Sequence, residues 1–239
     1  MSDHSLQIAD SRRARDTRRP VRCRPVTGRA LDAHLDAVAA LRIAVFRDWP
    51  YLYDGDPDYE RAYLAAYAAS ADSVCVLAFD GDRIVGASTG LPLTDDAPAF
   101  RAPFDAAGID AARVFYFGES VLLPEYRGLG LGHAFFDHRE AHAQALGRFD
   151  ITAFCAVDRA PDDPRRPAGH RELHDFWRSR GYARQPGMRM RLDWKETGAD
   201  AESTHALTFW TRRWPDHGVS LPDAAERDAM ASSTDGEGA

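Results

Sequence analysis

The chain has 239 residues, 44% of them apolar, and a formal net charge of −7. That length buries a full core, as one large domain or two small ones, and the acidic balance argues against general nucleic-acid binding. No run approaches a membrane span and no apolar signal core is present, so a cytoplasmic protein with no membrane partner is expected. Lys195 is the single lysine, so the basic side chains are almost all arginine. Cys23, Cys75 and Cys155 are odd in number and far apart, and they read as free thiols in a reducing compartment.

Residues 1–20 are polar and arginine-rich, and residues 215–239 end in small and acidic side chains. Both read as disordered tails around one folded domain, 21–214. Residues 21–26 predict a short strand. Leu31, Leu35, Val38, Leu41 and Val45 recur at helical spacing and predict a helix over 30–46. The next stretch interleaves Trp49, Tyr51 and Tyr53 with Asp54 and Asp56, and Pro50 ends the helix. Exposed aromatics beside carboxylates suit a cationic amine, and the same residues also suit an ordinary aromatic loop anchor. A second helix near 58–69 carries Tyr59, Tyr63 and Tyr67 at four-residue steps, which predicts packing against a sheet. Strands over 73–79 and 83–90 flank Asp80-Gly81-Asp82, a hairpin signal. Residues 91–112 are rich in proline, alanine and aspartate, with one helical turn expected near 103–107.

An apolar, aromatic run over 114–123 predicts a buried strand ended by Pro124. Arg127-Gly128-Leu129-Gly130-Leu131-Gly132 follows, and from His133 the pattern is helical to about 146. A strand, a glycine-rich turn and a helix N-terminus make an anion site, because free N–H groups and the helix dipole point at the ligand. A Walker loop needs Gly-Lys-Ser/Thr, and Gly132 is followed by His133. A dinucleotide fingerprint needs a third glycine where His133 stands, although Asp158, after a predicted strand over 151–157, sits where a ribose-binding acid would. Arg127-x-x-Gly130-x-Gly132, led in by Pro124-Glu125-Tyr126, resembles the pyrophosphate loop of the GNAT family of N-acetyltransferases, which binds acetyl-CoA.

His138 and His142 stand four apart on the predicted helix, but Arg139 occupies the position of a zinc protease's glutamate and no third ligand is evident. No metal is expected, and these residues read as an exposed polar face. A proline-rich loop over 158–169 leads to a short helix over 170–180 with Gly181 as its C-cap. Met188, Met190, Leu192 and Trp194 alternate with charged residues as a half-buried strand, and 205–214 reads as its antiparallel partner. Phe176-Trp177-x-x-x-Gly181-Tyr182 resembles the family's Phe-Tyr-x-x-x-Gly-Phe segment.

The resemblance implies an α/β fold, a mixed and mostly antiparallel sheet with a splayed parallel strand pair, flanked by helices. It implies acetyl-CoA as acyl donor and direct attack by an amine of a small-molecule or peptide acceptor. The pantetheine arm would bond main-chain groups near Val121, Leu122 and Leu123, and the pyrophosphate would sit on Arg127, Gly128, Leu129, Gly130, Leu131, Gly132 and His133. The acceptor would meet Trp49, Tyr51, Tyr53 and Asp54. Glu119, an acid in an apolar strand, is the first candidate base, and a glutamate paired with an arginine is the alternative. The family's acid is often the tyrosine that Trp177 replaces here, which turns attention to Tyr126 or Tyr116. Binding of an acyl-CoA without turnover therefore stays open as a second function, and a nicotinamide ligand as a distant third.

Overall fold

A computed structural model describes residues 20–214. Apart from Pro20, the two expected tails lie outside the described residues. Strand β1 (Arg22–Thr27) leads through a 3-10 turn (Gly28–His34) into helix α1 (Leu35–Phe46). The helix expected over 30–46 is thus interrupted at His34, whose backbone (φ −122°, ψ −2°) leaves the helical region. Helix α2 (Pro57–Ala69) starts where the Asp56 side chain accepts the Tyr59 N–H at 2.7 Å, with proline in the first turn. Its tyrosines do not share one face. Four residues turn a helix by about 400°, so each step drifts about 40°. Tyr67 is buried, Tyr63 is half-buried and Tyr59 is 60% exposed.

Strands β2 (Val74–Asp80) and β3 (Arg83–Pro92) form the expected hairpin. Helix α3 (Pro98–Ala106) is longer than the single turn expected, because Phe100 and Phe104, four apart, bury together against Tyr116 and Phe209. The run over 114–123 is two strands, β4 (Val114–Tyr116) and β5 (Ser120–Leu122). Leu91 and Pro92 of β3 face Tyr116 and Phe115, whereas Gly86, Ala87 and Ser88 face Leu122, Val121 and Ser120. The pairing slips by one residue across Phe117-Gly118-Glu119, the signature of a bulge. Helix α4 (Leu131–Ala145), strand β6 (Ile151–Val157) and helix α5 (His174–Ser179) follow. Helix α5 starts later than expected, with Glu172 before it paired to Arg166 at 3.0 Å. Gly181 (φ +84°) stops the chain's helical course behind it. Strands β7 (Ala183–Lys195) and β8 (Glu202–Arg213) close the sheet, β7 carrying a register shift between Gln185 and Arg189.

The sheet order is β1-β2-β3-β4-β6-β8-β7, with β5 beside β3, and β4 and β6 are the parallel pair. Both faces are covered, so the inner strand β2 is apolar from Val74 to Phe79. One face packs Leu31, Val38, Leu41, Leu64 and Tyr67 on Leu77, Leu91 and Phe209. The other packs Phe135, Phe136, Phe176 and Trp177 on Val76, Phe115, Phe154 and Trp210. Among the described residues no helix is long and apolar enough to cross a membrane.

Candidate active site

Pro124–Tyr126 form a 3-10 turn after β5, and the Tyr126 hydroxyl donates to Asp80 Oδ2 at 2.6 Å, pinning the turn to the β2–β3 hairpin. Gly128 (φ +77°) and Gly130 (φ +81°) then take left-handed conformations that side chains resist. Gly130 is the N-cap of α4. No backbone carbonyl among the described residues takes the N–H groups of Gly128, Leu129 or Gly130, and those of Leu131 and Gly132 belong to the helix's first turn. The result is a row of unspent donors at the positive end of a helix dipole. The Arg127 side chain folds back, Nε donating to the Leu122 carbonyl at 3.3 Å. The His133 ring meets Phe176 edge-on at 4.9 Å.

From this cradle a gap runs into the sheet between β5 and β6. Leu123 N–H donates to the Val85 carbonyl, and Thr89 N–H donates to the Glu119 carbonyl. Alternation along an antiparallel pair then turns the main chain of Val121 to β3 as well, and turns Ser120 and Leu122 into the gap. The same argument from Asp158 N–H donating to Ala206 leaves Cys155 and Val157 of β6 facing the gap. The strands touch at their start, where Phe117 N–H reaches the Ala153 carbonyl at 2.7 Å, and part beyond it. Ser120 is exposed in the middle of the sheet for this reason. Of the expected residues Val121, Leu122 and Leu123, only Leu122 turns its main chain to the gap. Ser120 is the one missed, because which residues face β3 depends on the bulge.

A polar cluster lies on the α1–α2 face beside the break. Arg42 Nη1 pairs with Glu119 Oε2 at 2.5 Å, and Arg42 Nε pairs with Glu60. The Tyr63 hydroxyl donates to Glu119 Oε2 at 3.2 Å and lies 2.9 Å from the Tyr67 hydroxyl. Glu119 is therefore an ion-paired carboxylate in a polar cluster, not an isolated acid in an apolar strand. Its Oε1 is buried with no hydrogen-bond partner. The Tyr67 hydroxyl crosses so close to Gly118 that a Cβ there would stand 2.0 Å from it. Asp96, just before α3, joins the cluster. Burial raises its carboxyl to about 6 against the Ala97 N–H, and the charge of Glu119 adds to the rise. Asp96 Oδ2 has no partner. The Tyr116 hydroxyl lies 3.1 Å from Cys155 Sγ, and burial pushes that thiol up to about 12, which leaves it an inert small side chain.

Tyr51 reaches the same cluster. Burial pushes its hydroxyl up, with the Cys155 thiol and the charges of Arg42, Glu119 and Arg159 around it. Its carbonyl accepts from Trp194 Nε1 and Arg159 Nη2, so the loop is anchored as well as placed. Tyr53 turns toward Glu60. The expectation of exposed aromatics around free carboxylates fails for the rest of the loop. Asp54 is paired with Lys195 at 3.2 Å, and Trp49 packs by His170 and Arg159.

Other candidates are spent on structure. Trp177 packs on Phe154 and Trp210, and the Tyr182 hydroxyl lies between Thr152 and Glu140. Asp158 accepts from Arg184 and Thr208. His142 Nε2 bonds the Asp72 carbonyl, and no group of three candidate metal ligands occurs among the described residues. Arg139 is not on an exposed polar face. It is buried on α4, and burial lowers its guanidinium to about 10.

An open sheet whose two parallel strands part beside a row of free N–H donors at a helix N-terminus defines an α/β protein with a cleft beside that helix end. The chain belongs to the acetyltransferase (GNAT) family, whose model matches residues 39–182. Solved structures agree in fold. A protein assigned as an acetyltransferase in Acinetobacter baylyi is 12% identical, with TM-score 0.55 over 85% of this chain and 98% of that one. A ribosomal-protein-alanine N-acetyltransferase from Brucella melitensis is 14% identical, with TM-score 0.52 over 81% and 99%. The protein yncA from Salmonella typhimurium, solved with its cofactor acetyl-CoA, is 13% identical, with TM-score 0.52 over 86% and 99%. No curated protein matches in sequence.

Proposed function

We propose that this protein transfers an acetyl group from acetyl-CoA to a primary amine by direct attack. The observation that carries the reading is the continuity of two unspent donor rows, the N–H groups of residues 128–132 and the gap-facing N–H groups of Ser120 and Leu122. A pyrophosphate suits the first and an amide-bearing arm suits the second. The amine nitrogen attacks the thioester carbon, the C–S bond breaks, and the ammonium proton leaves to a carboxylate. Glu119 and Asp96 are the candidate acceptors of that proton, each with a buried oxygen unspent. Tyr116 is the better-placed donor to the leaving thiolate, since the Tyr126 hydroxyl is committed to Asp80. Tyr51 lies on the acceptor side with Glu119, and a small-molecule or peptide amine is the expected acceptor. Three unpaired thiols fit a reducing, cytoplasmic setting.

Binding of acyl-CoA without turnover is the second reading. Trp177 at the family's tyrosine position and the Arg42–Glu119 pair favour it. Calorimetric titration with acetyl-CoA, followed by thiol release with a panel of amines, separates the two. Micromolar binding lost on Gly130→Asp, with thiol released by an amine, supports transfer. That substitution puts a side chain on a positive φ and a charge in the anion cradle, so unchanged binding overturns the placement of the pyrophosphate. Binding without thiol release by any amine favours the second reading.

A further inference from the structure

The N–H groups through the strand break are spent one after another. Phe117 donates to the Ala153 carbonyl, Gly118 to the Thr89 carbonyl, and Glu119 to Thr89 Oγ1 at 3.3 Å. Ser120 carries the first N–H beyond the break that faces the gap. The carbonyl of that same peptide belongs to Glu119, and it is doubly held, by the Thr89 N–H at 3.1 Å and by Arg139 Nη1 at 3.1 Å. Arg139 Nη1 also donates to the Thr89 carbonyl at 3.2 Å, and Nη2 donates to Ser120 Oγ at 2.9 Å. The guanidinium lies 4.2 Å from the Phe117 ring centroid and 4.9 Å from that of Phe136, with no carboxylate in hydrogen-bond reach among the described residues. A buried cation spent on carbonyls is costly unless its donors are satisfied, and here Nε donates to the Phe135 carbonyl of its own helix at 3.3 Å while Nη1 and Nη2 grip the break at Thr89, Glu119 and Ser120.

We infer that Arg139 is the positioning residue of the acyl site: it fixes and polarises the Glu119–Ser120 peptide so that the Ser120 N–H meets the thioester oxygen. A charged donor on a carbonyl strengthens the N–H at the other end of the peptide, because hydrogen bonds in series polarise one another. It also places positive charge behind the oxygen on which negative charge develops during attack. The inference rests on the acetyl-transfer reading above and adds a residue of helix α4 to it.

The test uses the full chain and acetyl-CoA carrying 13C at the acetyl carbonyl. Infrared difference spectra read the bound carbonyl stretch, and calorimetry reads affinity for acetyl-CoA and for CoA. In the wild-type protein the stretch falls on binding. In Arg139→Met it returns most of the way to the free value, turnover falls about tenfold, below the ~10²–10³ of deleting a donor outright, and CoA affinity stays within about twofold. A purely structural role would lower CoA affinity and turnover together. Arg139→Lys keeps the charge but cannot span both carbonyls and Ser120 Oγ, so it gives an intermediate stretch, and it carries the test if the methionine variant does not fold. An unmoved carbonyl stretch, or CoA affinity lost in step with turnover, overturns the inference. A wild-type protein that binds no acetyl-CoA sinks the inference together with the functional reading. One that binds and turns over, with Arg139→Met unchanged, sinks the inference alone.

Discussion

Asp96→Asn should stabilise the protein at neutral pH and flatten its pH dependence. The Asp96 carboxyl moves from an ordinary 3.8 to about 6 on folding, with burial as the leading cause. At about 1.36 kcal/mol per tenfold change in proton affinity, that difference corresponds to about 3 kcal/mol. The sign follows from proton uptake. Between about 4 and 6 the folded state holds the proton more tightly than the unfolded chain, so rising pH removes stability through that window. Below it both states are protonated, and above it the full cost is present. Asparagine keeps an acceptor for the Ala97 N–H and carries no charge, so it removes the term. Urea unfolding of both proteins from pH 4 to 8 measures it. The difference in unfolding free energy should grow toward about 3 kcal/mol in favour of the variant and level off above pH 6.5. Parallel curves across the whole range would refute a buried carboxyl that burial holds above its ordinary value. If Asp96 also takes the ammonium proton, the rise of kcat/KM with pH near 6 should vanish in the same variant.

Gly118→Ala should cost about 1–3 kcal/mol in denaturant unfolding, since its Cβ would stand 2.0 Å from the Tyr67 hydroxyl, and Tyr67→Phe in the same chain should restore part of the loss. Full stability of the single variant would contradict that close approach. Tyr116→Phe and Tyr126→Phe should separate in steady-state kinetics. The first should lower kcat with little change in KM for acetyl-CoA. The second should raise KM and lower stability by about 1 kcal/mol as the Asp80 anchor is lost. A matching kcat loss in both would return Tyr126 to the chemistry.

What could be read from the sequence was set by local pattern. The hairpin at Asp80-Gly81-Asp82, the strand at 151–157 and the loop ahead of α4 depend on residues adjacent in the chain, and each lies where its pattern places it. The parting of the strands was implied by the family likeness, but its details depend on distant contacts. One residue inserted at Phe117-Gly118-Glu119 decides that Ser120 rather than Val121 faces the gap, and the close approach of Tyr67 from α2 is what that break accommodates. Asp96 had no pattern at all, being one acid among several in a proline-rich connection. Arg139 had a signal that its charge concealed. Phe135, Phe136, Arg139, Glu140 and Ala143 follow the i, i+1, i+4, i+5, i+8 spacing of a buried stripe, and all are buried. An arginine and a glutamate on an apolar stripe are where a helix carries a polar task into the core. Here Glu140 holds Arg180 and Tyr182, and Arg139 holds the break.

The charges around the gap are sorted by face, and that sorting bears on the direction of chemistry. Glu60, Glu119 and Asp96 lie on the α1–α2–α3 side, with Arg42 as the cation of the two glutamates and Arg101 acting on Asp96, so that the three acids face two cations. Arg139 lies on the α4 side with its donors on backbone. Under the transfer reading an ammonium approaches the acidic face and surrenders its proton there, while negative charge builds on the acyl oxygen within reach of the peptide that Arg139 polarises. Helix α4 ties the two ends of the donor together. Leu131 at the cradle and Arg139 at the break are eight residues apart, about 12 Å along the axis. Under the transfer reading a rigid helix of that length would fix the N–H groups proposed for the pyrophosphate relative to the one proposed for the acyl oxygen, which is the registration that holding two reactants in line demands. The Arg42–Glu119 pair then has a role beyond storage of charge. It holds Oε2 and leaves Oε1 as the one unspent oxygen of Glu119, a residue of the break that Arg139 grips through its backbone.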